Sequence, residues 1–158
     1  MVRGFAIVVV GLMLTASVGR GANVISADFL RHPIAPKTRV LLQKALVTIK
    51  AEDHHAAIRE LLNILSKDPL SAAWVQTLLG VEYLKTAQYE LAEESLEQAT
   101  TLLPHDAINH YNFALSLVLT HDAGRGEQEA RRALELDPNL PEAKRLLTAL
   151  HPHSQEGN

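Results

Sequence analysis

The sequence coincides with itself at one spacing. Gly80 and Ala114, Ala99 and Ala133, Leu102 and Leu136, and Pro104 and Pro138 are each 34 residues apart. An earlier copy is offset by 35, pairing Ala45 with Gly80, Ala57 with Ala92, Leu61 with Leu96 and Pro69 with Pro104. One residue is therefore inserted after Pro69, near Leu70 and Ser71. A period of this size is the mark of a supersecondary unit that cannot bury its apolar face alone and must stack on its own copies. Each copy contains two segments of helical apolar period joined by a short polar break, and each ends in a proline after a leucine-rich turn. The spacing predicts helices over 38–50 and 53–66, 72–85 and 88–102, and 106–120 and 125–136, followed by a capping helix over 141–150 and a frayed tail over 151–158.

The repeated positions have a packing logic. Small residues at Ala45, Gly80 and Ala114, facing Ala57, Ala92 and Gly126, let the two helices of a pair approach closely. Larger residues such as Leu61, Leu96, Tyr83 and Leu117 fill the space between pairs. Prolines 69, 104 and 138 stop the second helices, since a proline ring clashes with the preceding turn. The segment from Pro141 to Leu150 places charge on one face and apolar side chains on the other, as a solvating end cap requires.

A 34-residue helix–turn–helix period resembles the tetratricopeptide repeat. The middle copy carries the likeness most fully, with Leu79-Gly80-x-x-Tyr83, Tyr89, Ala92, Leu96, Ala99 and Pro104; the third follows with Phe113-Ala114-x-x-Leu117, Gly126, Ala130, Ala133 and Leu134-Glu-Leu-Asp-Pro138. The first copy diverges, with Lys44-Ala45-x-x-Thr48, Ala57, Leu61, Ile64 and Pro69, and Trp74 stands two residues before the family's tryptophan position. The resemblance implies an all-α, right-handed α-solenoid of three repeats (38–72, 73–106 and 107–140) with a C-terminal cap helix. It implies a non-catalytic protein-interaction scaffold whose partner is a protein or peptide.

In that family the first helix of each pair lines a concave groove. The corresponding residues are Arg39, Leu42, Gln43, Leu46 and Lys50; Trp74, Thr77, Leu78, Val81 and Lys85; and Ile108, Tyr111, Asn112 and Leu115. The family members that capture chaperone C-termini clamp carboxylates with basic and amide side chains at groove sites occupied here by Leu42, Leu46, Leu78, Ile108 and Asn112, so no such clamp is expected. The expected ligand is an amphipathic helix or extended apolar peptide, with Trp74 and Tyr111 near the rim as aromatic anchors. For Leu46, Leu78 and Leu115 the competing expectation is burial between repeats. Three repeats also leave an apolar end, which predicts end-to-end self-association as a further mode.

Residues 4–19 carry no charge, with an apolar run from Phe5 to Leu14 after Arg3. This reads as a secretory signal cut between Gly19 and Arg20, with small residues at Ser17 and Gly19, and places the mature chain in the periplasm or outside the cell. The alternative is a retained membrane anchor for an envelope or secretion assembly factor; sixteen helical residues reach only about 24 Å, short of a roughly 30 Å hydrocarbon core. Residues 20–37, with Pro33 and Pro36, read as an extended lead-in.

The remaining chemistry is sparse. Fifteen Lys and Arg against 18 Asp and Glu give a net charge of −3, so no basic field recruits nucleic acid. The absence of cysteine excludes disulfides and thiolate sites. His54-His55 point about 100° apart on a helix, and His105, His110, His121, His151 and His153 show no ligand spacing, so neither metal nor cofactor is expected. Gly124-Arg125-Gly126 reads as a loop between helices, and Glu90, Glu93, Glu94 and Glu97 as a solvated acidic stripe.

Overall fold

A computed structural model describes residues 34–151. Seven α-helices run through them: α1 (Pro36–Lys50), α2 (His54–Lys67), α3 (Ala72–Lys85), α4 (Tyr89–Leu102), α5 (Ala107–Leu119), α6 (Ala123–Leu136) and α7 (Pro141–Leu150). A 3₁₀ turn, Pro69–Ser71, absorbs the inserted residue between the first and second pairs. Consecutive helices pack as neighbours throughout, and the first helices of successive pairs also touch, α3 with α5 and α5 with α7. The result is two layers, with α1, α3, α5 and α7 in one and α2, α4 and α6 in the other. Among the described residues no helix is long and apolar enough to cross a membrane.

Local chemistry sets the helix starts. Asp53, Asp106 and Asp122 accept hydrogen bonds from the first free backbone N–H groups of α2, α5 and α6, respectively. Pro36 and Pro141 occupy the first turns of α1 and α7, where no N–H is needed. This corrects the expected lead-in: helix begins at Pro36, and Ile34 is buried in the core rather than extended in solvent. It also corrects the third pair. Asp122 starts α6 at Ala123, so Gly124-Arg125-Gly126 forms the first turn of a helix and not a loop. The second helices end at Lys67, Leu102 and Leu136, each two residues before a proline.

The turns inside the three pairs share one unusual conformation. Glu52, Ala87 and His121, one repeat apart, have φ of 58°, 58° and 71°. In each the next residue's N–H reaches back five positions: Asp53 to Thr48 O (3.3 Å), Gln88 to Tyr83 O (2.9 Å) and Asp122 to Leu117 O (2.8 Å). These are Schellman caps, in which a glycine ordinarily supplies the left-handed residue. A side chain there costs about 1 kcal/mol, so Ala87→Gly is expected to stabilise the chain by about 0.5–1 kcal/mol in urea unfolding. A loss of stability would mean that the turn is held otherwise.

The core follows the repeated positions. Ala45, Ala57 and Leu61 are buried in the first pair, Gly80, Ala92, Leu96 and Ala99 in the second, and Ala114, Gly126, Ala130 and Ala133 in the third. Each buried leucine contributes about 1.5–3 kcal/mol of transfer free energy. One position breaks the pattern. Asn109 lies 34 residues after the buried Val75 and is itself 0 % exposed, yet neither its Oδ1 nor its Nδ2 has a hydrogen-bond partner among the described residues. An unpaired buried amide costs about 1–3 kcal/mol. Asn109→Val is therefore expected to raise stability by about 1–2 kcal/mol, and a lower denaturation midpoint would contradict the assignment.

Candidate functional site

The expected groove face falls on α1, α3 and α5, and their sequences explain how these helices sit. The outer helices α2 and α6 are amphipathic, whereas α5 from Ala107 to Leu119 contains no Asp, Glu, Lys or Arg, and α3 carries only Glu82 and Lys85 in its last turn. A helix that is apolar on all sides is stable only when covered on all sides. The structure agrees: every residue from Val75 to Leu84 and from Asn109 to Leu117 is buried.

The sequence-derived groove residues separate accordingly. Leu42, Thr77, Leu78, Val81, Tyr111, Asn112 and Leu115 are buried. Leu46, Trp74 and Ile108 are half-buried, with Leu46 and Trp74 packed against the core, and Arg39, Gln43 and Lys50 are exposed. Burial at Leu78 and Leu115 follows the inter-repeat expectation. Tyr111 corrects the other one: at 0 % exposed it is a buried ring, not an anchor at the rim. Of the two aromatic candidates, Trp74 alone keeps part of its surface open.

The phenol of Tyr111 records its surroundings. Burial pushes it up to about 12, with the Glu142 carboxylate adding to the rise and the Arg145 guanidinium opposing it. A folded-state value above the unfolded one, about 10, means that the neutral phenol stabilises the fold below that pH. This contribution is expected to be lost as pH rises from about 10 through about 12. Alkaline phenolate absorbance, assigned with Tyr111→Phe, tests it; a transition near 10 would place the ring in water.

Polar contacts join the helices within and between repeats. The Glu82 carboxylate, side chain 1 % exposed, sits between His54 Nδ1 (2.8 Å) and Lys85 Nζ (2.9 Å), joining α2 to α3. The two ring nitrogens of His110 face the Glu129 carboxylate (2.6 Å) and the Pro104 carbonyl (3.2 Å). Thr38 donates its hydroxyl to Asp68, tying α1 to the end of α2. In the first pair, Lys44 lies 3.0 Å from Glu60 and holds its carboxyl below the usual carboxylate range, helped by Thr48. The acidic stripe is not simply solvated: Glu93 and Glu97 bind Arg125 at 3.3 and 3.0 Å, Glu93 also accepts from Thr120, and the guanidinium stands 5.6 Å from the Phe113 ring centroid. Sequence reasoning missed these contacts because, apart from Glu82–Lys85 and His110–Pro104, each joins residues 12 to 32 positions apart. Among the described residues no three His, Asp or Glu side chains are grouped to hold a metal ion.

No family profile and no curated protein sequence matches the chain. Solved structures do. The first tetratricopeptide domain of Spaghetti, bound to an HSP90 peptide, superposes with a TM-score of 0.70 at 21% identity, over 75% of this chain and 94% of that one. MamA from Desulfovibrio magneticus RS-1, residue 41 to its end, gives 0.68 at 23% identity over 72% and 63%. The O-GlcNAc transferase of Thermobaculum terrenum gives 0.68 at 26% identity over 84% and 24%. The chain thus spans less than two thirds of that MamA chain and about a quarter of the transferase.

Proposed function

We propose that this chain, a tetratricopeptide-repeat protein by its fold, is a non-catalytic interaction scaffold that takes an uncharged, apolar helix or peptide in the groove of α1, α3 and α5. The observation that carries this reading is the composition of that face: Leu46, Trp74 and Ile108 keep part of their surface open beside the buried Leu42, Leu78, Val81 and Leu115, and its basic side chains, Arg39, Lys50 and Lys85, stand near the helix ends. An acidic peptide such as the SRMEEVD bound in the Spaghetti structure would lose its hydration along the middle of that face without gaining a counter-charge there. An apolar ligand would gain roughly 25 cal/mol for each Å² removed from water. A photo-crosslinking residue at position 74, with the exposed Glu94 on α4 as control, tests the reading; equal capture from both positions would sink it.

The sequence of residues 1–19, outside the described residues, supports export with the mature chain starting at Arg20 and acting in the periplasm or beyond the cell. The competing reading is an uncleaved anchor that holds the solenoid at a membrane as an assembly factor. Mass measurement of the N-terminus separates them: a chain starting at Arg20 supports export, and an intact Met1 in the membrane fraction supports the anchor. End-to-end self-association is favoured by a separate observation. Val40 (64 % exposed) and Val47 (68 % exposed) stand on α1, which opens the solenoid, whereas α7 covers its other end. Sedimentation of Val40→Glu/Val47→Glu beside the parent chain tests it, with an unchanged mass counting against stacking.

A further inference from the structure

The first helix presents to solvent a face that its counterparts bury. Val40 and Val47 are 64 % and 68 % exposed, whereas Val75 and Glu82, 35 residues on, and Asn109 and Ser116, 34 further, are all 0 % exposed. Among the described residues no helix precedes α1. The charges on that helix are of one sign: Lys37, Arg39, Lys44 and Lys50, with no Asp or Glu. Thr38, Leu42, Ala45 and Ile49 mark its buried side. At about 100° per residue, Val40 and Val47 then lie opposite the core, with Lys37 and Lys44 along one flank and Arg39 and Lys50 along the other. All four cations are exposed. The next helix continues the pattern, because Glu60, which Lys44 reaches at 3.0 Å, shares a face of α2 with the exposed Lys67.

We propose that this end of the solenoid, the open face of α1 with Lys67, docks on an anionic lipid surface, the two valines entering the headgroup layer between the two rows of cations. The inference is independent of the groove reading, since it uses the outer end of the stack and not the inner layer. The distribution of charge along the stack supports it. Residues 36–67 hold six Lys and Arg against three Asp and Glu, and residues 68–151 hold six against thirteen. An anionic surface therefore attracts the first pair and repels the rest, which selects one orientation with α1 against the lipid. Each Lys or Arg near such a surface strengthens binding by roughly fivefold. A second copy's α1 would bring the same four cations to the contact, so an anionic surface is the occupant that charge favours for these valines. An acidic helix of another protein would match the charge, but two valines offer far less apolar area than the roughly 800 Å² per partner of a stable complex. A lipid surface sets no such threshold, because the cations act through its summed field.

The full chain has no cysteine, so Val47→Cys carries an environment-sensitive nitrobenzoxadiazole dye at one position. With vesicles of equal parts phosphatidylglycerol and phosphatidylcholine, that dye is expected to brighten and shift to the blue, and the same dye at Glu94→Cys on α4 to stay in water. Partition is measured on those vesicles and on phosphatidylcholine alone; the ratio isolates the charge-dependent part from any apolar attachment common to both. Lys37→Gln/Lys50→Gln is expected to lower that ratio by about 25-fold, and Arg131→Gln/Arg132→Gln on α6, with the same loss of charge, to leave it within about twofold. Raising the salt from about 0.1 M to about 1 M is expected to remove most of the preference, because the screening length falls from about 10 Å to about 3 Å. Equal losses from the two double variants would reduce the effect to net charge and overturn the proposal. A dye at position 47 that stays silent on the anionic vesicles overturns it too, and a response to polyglutamate with none to lipid would assign the face to an acidic protein instead. A dye already buried without lipid, in a chain that sediments as a dimer, would assign the face to a second copy and equally end the lipid reading.

Discussion

Replacing His54 by Leu and Lys85 by Met together is expected to lower the unfolding free energy by about 3–5 kcal/mol. The reason is that Glu82 loses the Lys85 ammonium and the His54 ring nitrogen that bind it while its carboxylate stays buried at 1 % side-chain exposure. Such a charge has been taken from water, and without a partner the desolvation is uncompensated. Adding Glu82→Leu to the double variant is expected to recover most of the loss, because an apolar side chain of similar size replaces the stranded carboxylate. Urea midpoints of the parent, double and triple variants decide the matter. If the double variant unfolds like the parent, water reaches Glu82 and the ion group does not hold the first repeat to the second. If the triple variant is as weak as the double, packing rather than charge is responsible.

The second large effect concerns the closest helix contact. A Cβ placed on Gly80 would stand 2.4 Å from Leu96 Cγ and 2.7 Å from its Cδ2, well inside contact distance. Gly80→Ala gains about 1 kcal/mol of helix propensity but overpacks a filled core by about 1–3 kcal/mol, so a net loss is expected. Leu96→Ala alone should cost about 2–5 kcal/mol through the cavity it leaves. The two changes together are expected to cost at least 1 kcal/mol less than their sum, because the added methyl enters the vacated space. The third repeat already contains this combination, with Ala114 and Ala130 at the corresponding positions, both fully buried. Strict additivity in the double-mutant cycle would mean that the pair does not share one cavity.

These residues mark how far the sequence could be read. Gly80, Ala92 and their small counterparts were legible because every repeat restates the same spacing, whereas Leu96, expected between pairs, packs inside its own pair against Gly80. The proline stops and the cap helix were legible for local reasons, since backbone sterics act on adjacent residues. The start of α6 was misplaced by two residues because two glycines outweighed Asp122, whose capping bond fixes the start of the helix at Ala123. The left-handed turns at Glu52, Ala87 and His121 left no mark in the sequence, since none is a glycine.

The candidate site was legible as a face and not as a surface. Register alone placed Leu42, Trp74, Thr77, Tyr111 and Leu115 on the inner side of the first helices. What register could not decide was whether that side meets solvent, because burial is set by everything within contact distance, however far along the chain. So Tyr111 moved from the rim into the interior, and Arg125 left a supposed loop to bind Glu93 and Glu97 across the repeat boundary. The sequence by itself determined the helix pairs, their count and their stacking order, since periodicity and sterics operate between near neighbours. The tertiary structure alone decided which charges meet, which amide is stranded at Asn109 and how completely the inner helices are covered, because these depend on distances that close only when the repeats stack.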